Sequence, residues 1–150
     1  TEQFNGTSWT EVADLNTGRG NGAATGATNT AILYFAGSVS PKKQTESWNG
    51  SAWTEVNDMN TGGPSVAGSG SYTSAISSSS STSPKAQVEV WNGTIWRKDT
   101  DLNTGRDGGR GAGTDNTEGI HFGGRNEPTV YASTEEFSAG AVSTKTISTD

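Results

Sequence analysis

Cysteine is absent from this chain of 150 residues, histidine and methionine occur once each, and no apolar run approaches membrane-spanning length. Without cysteine there are no disulfides and no thiolate metal sites, so stability outside a cell would need another source, such as oligomerisation. A bilayer span needs about 18 or more consecutive apolar residues, so no such span is expected. A single histidine and no nucleophile-elbow motif argue against a hydrolase triad. Charge is also scarce: 17% of residues are charged, and the net charge is -6. That balance disfavours nucleic acid, whose binding rests on neutralising phosphates. Only 29% of residues are hydrophobic, yet disorder normally pairs low hydrophobicity with dense charge, which is missing here. No secretory leader is expected either. Thr1 falls inside a repeat, as in a processed product, a fragment or the ordered part of something longer.

What the chain does contain is repetition. Trp9, Trp53 and Trp96 recur at intervals of 44 and 43 residues, and Leu15, Met59 and Leu102 keep the same spacing. The repeated core reads Thr45-Glu46-Ser47-Trp48-Asn49-Gly50-Ser51-Ala52-Trp53, and a further copy begins at Thr134-Glu135-Glu136-Phe137. Units of about 1–44, 45–87 and 88–133 follow, with repeats to residue 137 and a weakly patterned tail over 138–150, where fraying is expected. A period of 40 to 50 residues marked by aromatics and glycine is the signature of a propeller blade. Strands are expected at 1–4, 8–12, 23–28 and 31–36, giving an all-β chain.

Asn-Gly at 5–6, 49–50 and 92–93 predicts two-residue type I′ hairpin turns. Trp48 would then sit opposite Ser51 and Glu46 opposite Trp53, with the two tryptophans as diagonal neighbours on one face. Phe4 with Trp9, and Trp91 with Trp96, would form equivalent pairs that wedge between successive blades, with Phe137 opening the next copy. Glu2, Glu46, Glu89 and Glu135 lie two residues before the aromatic, on that same face, and need partners if buried. Arg19 and Arg106 occupy matching loop positions and suit two of them. Gly63 stands at the third, so that copy must use backbone N–H groups or water. In the second unit Ser77 to Ser81 replace the hydrophobic strand of the first, with Ile76 and Pro84-Lys85 retained. This reads as a substituted strand one residue shorter or as a flexible serine tract.

These repeats resemble the kelch class of β-propeller. Ile120-His121-Phe122-Gly123-Gly124 matches that family's strand ending in Gly-Gly, and Phe35-Ala36-Gly37 matches it in part. Val88-Glu89-Val90-Trp91 matches the strand ending in an aromatic, and the run from Trp9 to Arg19 matches the third element. The second unit lacks Gly-Gly, and the five-residue aromatic-to-Trp spacing is shorter than the family's usual hairpin. In this form the repeats look like the kelch-like arrays of marine bacteriophage and bacterial surface proteins. The resemblance implies blades of four antiparallel strands, about three and a half in this chain. It also implies inner strands of small residues, as at 22–27 and 108–113. Closure would come from self-association or further repeats; two such chains would make seven blades. The copper-radical oxidases sharing this propeller use paired histidines and a cysteine-linked tyrosine, which this sequence cannot supply.

No catalytic, cofactor-binding or metal-binding residue is expected. Asp99-Thr100-Asp101-Leu102-Asn103-Thr104-Gly105 imitates a calcium loop, but its glycine comes one place late and no closing Glu follows. His121 lies in an apolar strand pattern and reads as a hydrogen-bonded structural residue. Asn5-Gly6-Thr7, Asn49-Gly50-Ser51 and Asn92-Gly93-Thr94 are formal glycosylation sequons that turn chemistry already explains. The loops at 14–22, 37–44, 58–66, 83–87, 101–110 and 124–129 are expected on one edge. Arg19, Lys42, Lys43, Lys85, Arg106, Arg110 and Arg125 fall there, making it the candidate edge for a glycan or partner, although five acidic residues share it. The expectation is a non-enzymatic module of an extracellular or virion assembly, supporting adhesion or glycan recognition alongside other virion or surface proteins. A purely architectural part is the second reading, and an enzyme a distant third.

Overall fold

The structure is a computed structural model that describes residues 1–139 and 146–147. The fold is all-β, and the described residues contain no helix. A two-stranded sheet comes first, β1 (Glu2–Phe4) with β2 (Trp9–Glu11). The second sheet is a four-stranded antiparallel meander of β3 (Ala23–Thr28), β4 (Ala31–Phe35), β5 (Thr45–Trp48) and β6 (Trp53–Val56). The third repeats it with β7 (Ala67–Gly70), β8 (Ala75–Ser78), β9 (Val88–Trp91) and β10 (Trp96–Lys98). The fourth joins β11 (Arg110–Ala112) and β12 (Glu118–Phe122) to β15 (Thr134–Ser138) and β16 (Thr146–Ile147). Between β12 and β15 a small hairpin, β13 (Arg125–Asn126) with β14 (Thr129–Val130), occupies residues read from sequence as a loop. Of the tail, residues 140–145 and 148–150 lie outside the described residues.

The sequence unit and the sheet are out of phase. Unit 45–87 supplies β5 and β6 to one sheet and β7 and β8 to the next. The first strands β3, β7 and β11 are rich in small residues because they approach one another closely. A Cβ on Gly68 would lie 3.0 Å from the Ala23 Cβ and 3.0 Å from the Phe35 ring, tighter than ordinary van der Waals contact. Toward β11, Gly70 N–H donates to the Gly113 carbonyl at 3.1 Å.

The hairpins differ from the two-residue turns expected. Trp48 faces Trp53 directly and Glu46 faces Glu55, so residues 49–52 form a four-residue loop. Asn49 Oδ1 accepts from the N–H groups of Ser51 and Ala52, both at 3.0 Å, and Asn92 and Asn5 do the same in their copies. The asparagine thus acts through its side chain. Only the glycine takes positive φ, at 98°, 97° and 92° for Gly6, Gly50 and Gly93. Direct opposition still puts both aromatics on one face, with ring centroids 5.4 Å apart for Trp48–Trp53 and 5.5 Å for Trp91–Trp96.

The serine tract is ordered strand and turn. Ser77 to Ser80 are buried, and β8 pairs with both β7 and β9. Ser79 N–H donates to the Gln87 carbonyl as Ala36 N–H donates to Gln44, and both residues have φ near +60° (Ala36 61°, Ser79 65°). That match places Ile76 in the register of Leu33 rather than Ile32, one position from the alignment that sequence suggests.

The apolar core lies between sheets. Leu33, Phe35 and Met59 pack with Trp91 and Trp96 between the second and third. Ile76, Val88 and Val90 meet Leu102 and Phe137 between the third and fourth. Burying such side chains contributes about 1.5–3 kcal/mol each.

Candidate functional site

Glu46, Glu89 and Glu135 are each bound by the loop of the unit before them. Glu46 is buried on β5 and accepts from Asn16 N–H at 2.7 Å, Asn16 Nδ2 at 2.9 Å and Thr17 N–H at 3.4 Å, and it pairs with Arg19. Glu89 accepts from Asn60 N–H at 2.8 Å, Asn60 Nδ2 at 3.0 Å and Thr61 N–H at 2.6 Å, with no arginine. Glu135 accepts from Asn103 N–H at 2.6 Å and Thr104 N–H at 3.3 Å and pairs with Arg106. Glu2 is exposed and faces Glu11. For Glu46, burial raises the pKa, but hydrogen bonds from Arg19 and Asn16 outweigh it and hold the carboxyl below its ordinary value.

The arginines are equally enclosed. Arg19 Nε donates to the Ala36 carbonyl at 3.0 Å, and its guanidinium carbon lies 4.8 Å from the Tyr34 ring. Arg106 donates to the carbonyls of Gly123 at 3.2 Å and Ser133 at 3.0 Å, and lies 5.1 Å from the Tyr131 ring. Tyr131, just past β14, takes the place of Tyr34, while His121 stands in the Tyr34 register, opposite Glu135 as Tyr34 is opposite Glu46.

The tryptophans also link sheets. Trp96 Nε1 donates to Thr45 Oγ1 at 3.0 Å and its ring meets Phe35 at 4.8 Å, whereas Trp53 Nε1 donates to Thr1 Oγ1 at 3.2 Å. Trp48 and Trp91 are buried. Phe4 and Trp9 are exposed, Trp9 to 65%.

Neighbouring loops of the set expected on one edge are joined pairwise by backbone bonds. Met59 N–H donates to the Lys43 carbonyl, Leu102 N–H to Ala86, and Asp107 and Arg125 exchange backbone bonds. The cationic edge is nonetheless much smaller than its residue list. Arg19 and Arg106 have side-chain exposures of 0% and face inward. Lys85 lies 3.3 Å from Asp107 and 2.9 Å from Asn126 Oδ1, and Arg125 pairs with Glu127 at 3.1 Å and Asp107 at 3.6 Å. Lys42, Lys43 and Arg110 form none of the ion pairs among the described residues. Arg110 borders an open cleft of about 430 Å³ where β3 and β7 converge, lined by Gly22, Ala24 and Gly68.

Comparison with known proteins bears on the fold. No family model matches the chain, and no curated protein matches it. Among solved structures it superposes on "Structure of YjhT" with a TM-score of 0.73 over 93% of its length, at 13% identity. The matched region is 49% of that chain, so this chain spans about half the length of the structure it resembles. The likeness is one of fold.

His121 lies between Ser78 and Gly109. It is buried, and its Nδ1 lies 2.8 Å from Ser78 Oγ. Burial, with a smaller push from Arg106, lowers its pKa to about 4 against the opposing pull of Glu135. Among the described residues Nε2 has no hydrogen-bond partner, and it is turned toward Gly109. A serine on Nδ1 and no carboxylate orienting the ring differ from the arrangement that activates a nucleophile. A cavity of about 50 Å³ beside it, bordered by Ile76, Leu102 and Phe137, has room for little more than water. In the calcium-like loop, Asp101 accepts from Val88 N–H at 3.2 Å and pairs with Lys98, and Asp99 accepts from Thr100 N–H at 2.7 Å. Among the described residues no group of three His, Cys, Asp or Glu stands close enough to hold a metal.

Sequence reading missed the compensation behind Gly63. Arg19 packs its stem on Gly37, and Arg106 packs on Gly124. Where Gly63 replaces arginine, Ser80 replaces the paired glycine and fills the space. Reading the two positions together would have found it.

Proposed function

We propose that the chain contributes blades of a kelch-like β-propeller and serves as a non-enzymatic recognition module in an extracellular or virion assembly. The observation that carries this reading is where the repeated chemistry goes. The buried carboxylates Glu46, Glu89 and Glu135, the Asn-Thr loops that donate to them, and Trp96 are spent on joining one part of the repeat array to the next. The loop edge carries Lys42 and Lys43, and Arg110 borders the cleft where β3 and β7 converge. Loops held by a rigid scaffold are where such proteins vary their partners. Anionic glycans or acidic protein surfaces suit those cations. A glycan array with the purified chain is the test: binding lost in a Lys42→Ala, Lys43→Ala, Arg110→Ala variant supports the reading.

A second reading, a purely architectural part, is favoured by the exposed aromatic faces at Phe4–Trp9 and Ile120–Phe122. No glycan binding together with ordered assembly would select it. Turnover of any substrate would overturn both.

A further inference from the structure

We infer that two exposed faces of this chain are halves of one interface: the Phe4–Trp9 face of one copy docks on the Phe122–Thr134 face of a second, and reciprocally. The inference rests on how successive sheets join and is independent of any recognition role.

Inside the chain the joint is defined by register. Phe35 stands opposite Thr45 on the forward face of the second sheet. Trp96, opposite Trp91, reaches back from the third sheet to stack on Phe35 at 4.8 Å and donate to Thr45 Oγ1 at 3.0 Å. Phe122 stands opposite Thr134 in the same register on the fourth sheet, and Phe122 and Ile120 are 39% and 40% exposed. Trp9 stands opposite Phe4 as Trp96 does opposite Trp91, and these are 65% and 45% exposed. One face therefore presents the phenylalanine and threonine that a tryptophan fills elsewhere, and the other presents that tryptophan. Trp9 on Phe122, with Trp9 Nε1 donating to Thr134 Oγ1, would repeat the internal joint.

The faces are heterologous, so they generate either a closed ring or an open series. The solved structure sharing this fold is about twice as long as the matched region, since that region is 49% of its chain. Two copies supply that length, which favours a closed pair.

Light scattering and sedimentation of the 150-residue chain test this. The expected mass is twice the 15.5 kDa of one chain. Trp9→Ala and Phe122→Ala should each raise the dissociation constant at least about tenfold, as loss of a central aromatic anchor does. Both should keep the far-ultraviolet circular dichroism of the parent, since both side chains are exposed in the single chain. An equimolar mixture of the two variants should regain pairs, because one of its two joints keeps Trp9 against Phe122. A wild-type chain that stays at one mass at the highest attainable concentration overturns the inference. So do an open series of larger species, a pair insensitive to either substitution, and a mixture that does not re-associate.

Discussion

Gly63 and Ser80 exchange the sizes that Arg19 and Gly37 have in the preceding unit: a Cβ on Gly63 would run into Ser80 Oγ, whereas Gly37 lies under the Arg19 stem. The third unit returns to the first arrangement with Arg106 and Gly124. Two positions well separated in sequence thus change together because they compete for one volume.

This predicts a strong coupling. Gly63→Arg alone should destabilise the chain by about 1–3 kcal/mol, the usual cost of overpacking. Adding Ser80→Gly should recover much of that loss by opening the volume and giving the guanidinium access to Glu89. A double-mutant cycle by urea denaturation reads the coupling, and strictly additive effects would contradict the shared volume.

Glu46 and Glu89 should respond differently to neutralisation. Glu46→Gln leaves the Arg19 guanidinium buried without its countercharge, a loss of about 3–5 kcal/mol. Glu89→Gln disturbs only bonds from Asn60 and Thr61, costing about 1–3 kcal/mol. Chemical denaturation of the two variants side by side checks the order.

Acid should weaken the fold in two windows. His121 titrates near 6.5 when unfolded and near 4 when folded, so the unfolded chain binds the extra proton first. Its contribution, up to about 3 kcal/mol, is complete above pH 6.5 and lost as pH falls to about 4. Glu46, whose folded value is depressed, contributes above its unfolded value of 4.5 and loses that contribution as pH falls through the folded value. Stability curves from pH 7.5 to 3 should therefore fall in both ranges, and His121→Gln should flatten only the upper one.

Equivalent tryptophans should carry unequal weight. Trp96→Ala, in the core with its Nε1–H bonded to Thr45, should cost about 3–5 kcal/mol. Trp9→Ala, largely exposed, should change the unfolding free energy of the single chain by about 0.5 kcal/mol or less. Thermal melts at low protein concentration separate the two.

The strand map was legible because turn formers and the Trp and Glu positions recur at fixed spacing, and expected strands at 23–28 and 31–36 are found at Ala23–Thr28 and Ala31–Phe35. The hairpin register was not, because Asn-Gly serves both a two-residue turn and a longer loop closed by the Asn side chain. Ile76 misled the alignment by one position, since Ile32 and Leu33 are equally apolar and only backbone pairing separates them. The cationic edge shrank because sequence gives the sign of a charge but not whether a carboxylate encloses it, as Glu46 encloses Arg19 and Glu135 encloses Arg106. The β13–β14 hairpin gave no signal, being two residues on each side.

Because each 44-residue unit straddles two sheets, its Asn-Thr loop carries the donors for a carboxylate that the next unit carries. Tandem duplication of such a segment would deliver a loop and its acceptor together, already in register. An array built this way can lengthen by copying without inventing a new contact, whereas excising part of a unit strands a buried carboxylate in the neighbour.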